Sequence, residues 1–333
     1  MPELAYPIWL IALVVMALAF DFLNGLHDAA NSIATVVTTR LLSPLNAVLF
    51  AAFGNFAAYW FMGLKVADTV GKGIIDKDIV TPSVVFGALG GAMFWNVLTW
   101  LKGIPSSSSH ALIGGLLGAG IAHAGFGAVE SSGTTKTLLA IVISPMLGFA
   151  IAMAMMLLTS WLFRGFRPKR AEGFFKSLHL FSAAAYSISH GGNDAQKTMG
   201  VIAVLLYSTG NLHGKFHVPE WVVIACYTSI ALGTLSGGWK IIKTMGTKLT
   251  KLNHHTGFCA STAGSIVVFG ATAMGIPVST THAITGSVVG TGAARKDSSV
   301  RWTVAARVVM AWFITIPASA AVGAVFYTLT RMF

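Results

Sequence analysis

The chain has 333 residues, 55% of them hydrophobic and only 10% charged, with a mean hydropathy of +0.73. A soluble domain carries about 25% charged residues, so this composition excludes one and points to a polytopic helical membrane protein. The net charge of +11 is scattered over short connections; that excludes a basic nucleic-acid-binding unit and fits cytoplasmic loops rich in Lys and Arg.

The apolar segments run over 7–39, 45–62, 82–101, 110–123, 137–163, 177–210, 220–238, 258–274, 282–293 and 303–330. Several approach the roughly 20 residues that cross a bilayer as a helix. The alternation of a membrane β-barrel is absent. The first segment has no Lys/Arg-rich leader before it and reads as a retained span. Cys226 and Cys259 both lie in apolar stretches, where thiols are buried and inert, and they form no metal motif.

The connections set a topology. Residues 164–176 hold Arg164, Arg167, Lys169, Arg170 and Lys176 against Glu172. Residues 239–257 hold Lys240, Lys243, Lys248 and Lys251, and 294–301 hold Arg295, Lys296 and Arg301 against Asp297. All three should be cytoplasmic. Residues 63–81 balance Lys65, Lys72 and Lys77 against Asp68, Asp76 and Asp78, and 124–136 balance Glu130 against Lys136; both should be external. One arrangement satisfies all five loops. Residues 1–163 form one repeat with a re-entrant hairpin at about 82–123. Residues 164–176 form a basic cytoplasmic linker. Residues 177–333 repeat the same order upside down, with a hairpin at about 258–293, and both termini are external. The predicted fold is all-α, an inverted-topology repeat with broken helices and two re-entrant hairpins, as in many secondary transporters.

The duplication is visible in the residues. At an offset of 166, Gly25 meets Gly191, Asp28 meets Asp194, Ala29 meets Ala195 and Ser32 meets Thr198. At an offset of 172, "GIPSSSSHALIGGLLG" from Gly103 meets "GIPVSTTHAITGSVVG" from Gly275, with eight identities in sixteen positions. Pro105 and Pro277 break their segments firmly. Gly25, and Gly191 with Gly192, are expected to break theirs as well, since glycine costs a helix interior about 1 kcal/mol against alanine. Breaks at matched places in two halves point to a transporter's binding site.

Two kinds of motif carry the chemistry. Ser107, Ser108 and Ser109, and Ser279, Thr280 and Thr281, follow the prolines and open apolar helices. Hydroxyls and unpaired N–H groups at a helix N-terminus make an anion site. Two such tips can grip one tetrahedral oxyanion; the bland alternative is that the hydroxyls only cap or glue helices. His110 and His282 follow each run, to support the hairpin or shuttle protons. The acidic motifs come second. Asp21, Asn24, Asp28 and Asn31 are spaced i, i+3, i+7 and i+10, as are Ser187, His190, Asp194 and Lys197, so each set lies on one helical stripe. Carboxylates at membrane depth are costly and mark function by default: Asp21, Asp28 or Asp194 can bind Na⁺, carry a proton, or accept the proton of a protonated oxyanion. An Asp194–Lys197 structural ion pair is the alternative.

These motifs resemble the inorganic phosphate transporter (PiT) family, especially its shorter bacterial, low-affinity type. Its duplicated N-G-x-N-D-x-A-N type box is matched by Asn24 to Asn31 and by His190 to Lys197, and its P-x-S-[ST]-[ST]-H tips by "IPSSSSH" and "IPVSTTH". The resemblance covers both halves. It implies an inverted-repeat dimer, phosphate held at the tips with Asn193, and cation-coupled uptake through Asp28, Asn31 and Asp194. His27 and Lys197 depart from the two-fold Asn pattern. A charged lysine has no lone pair for Na⁺ but can stand where a cation would sit. Weakened sodium coupling and proton-driven uptake are therefore expected, with a divalent cation travelling with phosphate as a further option. No resident metal or cofactor is expected, no nucleic-acid partner, and no enzymatic activity: a hydrolase needs one nucleophile and one base at one place, whereas these hydroxyls are duplicated. A channel would favour rings from several subunits. The nearest rival is a sulfate permease of the same fold.

Overall fold

The computed structural model describes residues 7–76, 79–212, 214–295 and 300–332. Lys77, Asp78, Lys296 and Asp297, used above to set the topology, lie outside them. The described residues are almost entirely helical: α1 (Ile8–Thr38), α2 (Pro44–Phe61), α3 (Lys65–Gly73), α4 (Pro82–Lys102), α5 (Ser108–Ala124), α6 (Ser131–Leu162), α7 (Pro168–Ser208), α8 (Glu220–Ser236), α9 (Trp239–Lys243), α10 (His254–Ala273), α11 (Thr280–Ala293) and α12 (Trp302–Leu329). A turn of π-helix, Thr244–Lys248, continues α9.

The order span, span, short bent helix, hairpin, span runs twice. The packing is reciprocal: α1 lies on α8 and α2 on α7, while α5 packs on α12 and α11 on α6. Five helices (α1, α4, α6, α10, α12) are long and apolar enough to cross a membrane, and seven spans result if each bent pair is one. α4 and α10 do not act alone. Each turns back within a few residues into α5 or α11 and packs along it; a Cβ on Gly115 would lie 2.3 Å from the carbonyl oxygen of Ala88. Each pair is therefore a hairpin.

The outer surface is apolar, as a bilayer requires, and the apolar core encloses a set of polar and charged groups. Asp21 and Asp194 are 0% exposed and Lys197 1%, whereas Met146 on α6 is 64% exposed and Phe313 on α12 is 66%.

The breaks correct one expectation. Broken spans occur, but between α2 and α3, bent by 86°, and between α8 and α9, bent by 64°. α1 and α7 run unbroken through Gly25 and through Gly191 and Gly192. Those glycines serve close packing instead. A Cβ on Gly25 would sit 2.1 Å from the carbonyl oxygen of Ile230, and one on Gly191 2.5 Å from backbone atoms of Asn55. The basic stretch 164–176 is mostly helical: the connection is short, and α7 begins at Pro168.

Candidate functional site

The prolines behave as the sequence suggests. α4 ends at Gly103 in the left-handed conformation (φ 64°), and α10 is followed by Gly275 in the same one (φ 71°). An extended tip carrying Pro105 or Pro277 follows each. Ser107 caps α5 by accepting from the His110 amide at 3.2 Å; Ser279 caps α11 by accepting from the His282 amide at 3.2 Å. This hydroxyl–amide contact satisfies one of the free N–H groups at a helix start.

Both tips meet the boxes of α1 and α7, each across the repeats. Asn31 Nδ2 donates to Thr281 Oγ1 at 2.9 Å, and Thr281 Oγ1 in turn donates to Asp28 Oδ1 at 3.3 Å. In the mirror position, Lys197 Nζ donates to Ser109 Oγ. Ser109 is the counterpart of Thr281, as Lys197 is of Asn31. Lys197 Nζ also lies 2.5 Å from Asp194 Oδ1 and donates to the Val278 carbonyl at 2.8 Å. Thr280 Oγ1 donates to Asp194 Oδ2 at 3.1 Å. The Asp194–Lys197 ion pair read as an alternative is therefore present, and it is tied to both tips.

Asn193 Nδ2 donates to Thr272 Oγ1 at 2.8 Å and to the Ile276 carbonyl at 3.4 Å, holding the second tip from α7. Ser108 is fully buried and its hydroxyl has no partner among the described residues. The same holds for both amide atoms of Asn24. Asp21 accepts from Thr198 Oγ1 at 3.0 Å, and its other oxygen has no partner; its contacts are with α7 rather than with the tips. The rings of His110 and His282 meet edge to face at 4.4 Å, and His282 stacks on Trp312 at 3.8 Å. The two hairpins thus touch each other directly behind their caps.

Several further groups support the site. His27 Nδ1 lies 2.9 Å from Asp28 Oδ1, and its Nε2 lies 3.1 Å from Thr99 Oγ1 on α4. His190 sits between Asp194 (3.4 Å) and Asn55 (3.1 Å). Tyr186 donates to the Thr280 carbonyl at 2.9 Å. One atom each of Asp28, His190 and Asp194 falls within 4.8 Å of the others. Gln196 accepts from the Val66 amide at 3.0 Å and the Ala67 amide at 3.4 Å, covering the start of α3. His27 was visible as a departure from the box, and His190 as a member of the α7 stripe. Asn55 and Thr99 carry no local signal, because only the tertiary fold brings them to the site; Tyr186 lies one helical turn before His190 on α7.

Chemically, the arrangement gathers buried hydroxyls, two helix N-termini, two amides, two carboxylates and one ammonium. It suits a small anion with hydrogen-bond donors of its own, and holds acceptors for a proton or a cation beside it.

Known proteins resemble this chain in sequence and fold. The model of the phosphate transporter family matches residues 24–323. A probable low-affinity inorganic phosphate transporter of Rhizobium meliloti is 59% identical over 324 residues, 97% of each chain. One of Bacillus subtilis is 43% identical over 326 residues, again 97% of each chain. A solved structure described as the sodium-dependent phosphate transporter superposes with a TM-score of 0.87 at 27% identity, over 98% of this chain and 99% of that one. The chain belongs to the phosphate transporter family.

Proposed function

We propose that this protein is a multi-pass membrane transporter that takes up inorganic phosphate by alternating access, as a symporter driven mainly by protons. The observation that carries this reading is the crossed meeting of tips and boxes: Ser109 with Lys197, and Thr281 with Asn31 and Asp28. Phosphate is held by the hydroxyls of Ser107 to Ser109 and Ser279 to Thr281 and by the two helix N-termini, with Asn193 positioning the second tip. Asp28 and Asp194 are the coupling groups, assisted by Asn31, Asn24 and Asp21. His110 and His282, with Pro105 and Pro277, support the tips.

Monohydrogen phosphate has a proton to donate and sulfate has none. A carboxylate acceptor beside the anion therefore favours phosphate over sulfate. Lys197 supplies a fixed positive charge next to Asp194, where a sodium ion would otherwise be needed, so coupling falls to protons. A divalent cation can travel with phosphate as cargo, and the proximity of Asp28, His190 and Asp194 supports that route: carboxylate oxygens and imidazole together suit first-row divalent metals. The protein works as a homodimer in the cytoplasmic membrane, with both termini outside and the three basic connections inside.

Exchange in liposomes tests the function. Unlabelled phosphate on the far side should accelerate entry of labelled phosphate, arsenate should compete, and sulfate should not. Equal competition by sulfate would make the protein a general oxyanion permease, and absence of trans-acceleration would make it a channel.

A further inference from the structure

Two short helices outside the boxes and tips carry a duplicated motif of their own. Gly63, Lys65, Thr69 and Gly71 match Gly238, Lys240, Thr244 and Gly246 at an offset of 175. The first set lies at α3, the second at α9 and its π-helical turn. Both lysines are exposed.

Their contacts are matched as closely as their sequences. Lys65 Nζ donates to the Ala273 carbonyl at 3.0 Å, and Thr69 Oγ1 to the Gly275 carbonyl at 2.7 Å. Lys240 Nζ donates to the Leu101 carbonyl at 3.1 Å, and Thr244 Oγ1 to the Gly103 carbonyl at 3.1 Å. Ala273 and Gly275 are the counterparts of Leu101 and Gly103 at the hairpin offset of 172. A Cβ on Gly275 would meet Lys65 Cβ at 3.2 Å, and one on Gly103 would meet Lys240 Cβ at 3.2 Å. The bent helix of each repeat thus grips the end of the first hairpin limb of the other repeat. An ammonium against the last carbonyls of a helix sits at the negative end of its dipole, and exposed contacts of this kind are weak enough to open.

We propose that Lys65 with Thr69, and Lys240 with Thr244, are the two latches of alternating access, acting as positioning residues for the hairpin tips. This rests on the transport reading above. The α3 latch holds the tip whose Val278 carbonyl accepts from Lys197 and whose Thr280 donates to Asp194. The α9 latch holds the tip that presents Ser106 to Ser109. Opening the α3 latch frees the path on the α3 side of the membrane, and opening the α9 latch frees the other. The latches differ in one respect: Gln196, between Asp194 and Lys197, accepts from two amides at the start of α3, whereas its counterpart in the first box is Ala30. The α3 latch is therefore hydrogen-bonded to its box through Gln196, whereas the start of α9 meets the first box by packing alone, where a Cβ on Gly238 would lie 2.7 Å from the Leu26 carbonyl oxygen.

Side-specific labelling in liposomes tests this with the full chain. The reporters are Ser106→Cys and Val278→Cys, a matched pair at the two tips, in a background with Cys226→Ala and Cys259→Ala. Lys65→Met with Thr69→Val should raise labelling of Val278→Cys by an impermeant thiol reagent several-fold from one side only, leaving Ser106→Cys unchanged. Lys240→Met with Thr244→Val should do the reverse from the opposite side. Lys→Arg at either position should restore the low reactivity, which a merely structural defect would not allow. If a double variant fails to insert, the single Lys65→Gln and Lys240→Gln variants give the same readout. Equal labelling of both reporters by either variant, or unchanged labelling with lost uptake, would overturn the proposal. Labelling needs no transported phosphate, so its outcome is separable from a failure of the phosphate assignment.

Discussion

Asn31 and Lys197 stand at matched places in the two halves and make the same contact. Each donates to the third hydroxyl of the opposite hairpin tip, Thr281 in one case and Ser109 in the other. They differ in charge. The first box keeps a neutral amide beside Asp28, with His27 at 2.9 Å as the nearest compensating group. The second box closes an ion pair, Lys197 on Asp194 at 2.5 Å. The fold therefore needs a donor at this position in both halves, but it needs a cation of its own in only one. Among the described residues Asp28 is held by His27 and Thr281, with no lysine or arginine against it, whereas Asp194 has its counter-charge built in.

Breaking the built-in pair should have the largest effect. Asp194→Asn leaves a buried ammonium without its counter-charge, which costs about 3–5 kcal/mol; Asp28→Asn leaves no such charge and should cost clearly less. Thermal unfolding in detergent compares them, and both variants should lose gradient-driven uptake. Equal stability losses would mean that Lys197 is compensated elsewhere. Lys197→Asn would make the two boxes alike and should shift uptake from proton toward sodium dependence, read as the ratio of initial rates under the two gradients. Replacing Ser108 and Thr280 together with Ala should raise the half-saturating phosphate concentration about tenfold, the equivalent of one hydrogen bond to a charged group. An unchanged value would move the anion away from the tips. A further effect concerns packing rather than chemistry. Gly25→Ala puts a Cβ 2.1 Å from the Ile230 carbonyl oxygen, and overpacking of this kind costs about 1–3 kcal/mol. A melting temperature equal to the parent's would show that α1 and α8 can separate there.

The hairpin tips were legible because a proline, a hydroxyl run and a histidine recur together at one offset, and each has a local physical meaning. The stripe spacing of the boxes was legible for the same reason. The glycines were not. A glycine within a helix signals either a hinge or a close neighbour, and only the neighbour distinguishes them; Ile230 and Asn55 are far from Gly25 and Gly191 in sequence. The motif around Lys65 and Lys240 was hidden differently. It lies between the apolar segments, so its lysines counted only as loop charge, and its offset of 175 matches neither of the other two. A search for polar residues recurring at any offset near 170 would have found it. Asn55 and Thr99 reach the site only through helix packing and carry no pattern of their own, whereas Tyr186 sits on the same helix as the second box, one turn before His190.

If Lys197 stands in for a sodium ion, protons are left to drive phosphate uptake. Labelled phosphate entry into liposomes, under a proton gradient and separately under a sodium gradient, tests it most directly. Concentrative uptake is expected with the proton gradient and little with sodium, and the opposite preference in Lys197→Asn. Sodium-driven uptake by the unmodified protein, with no response to the proton gradient, would contradict it.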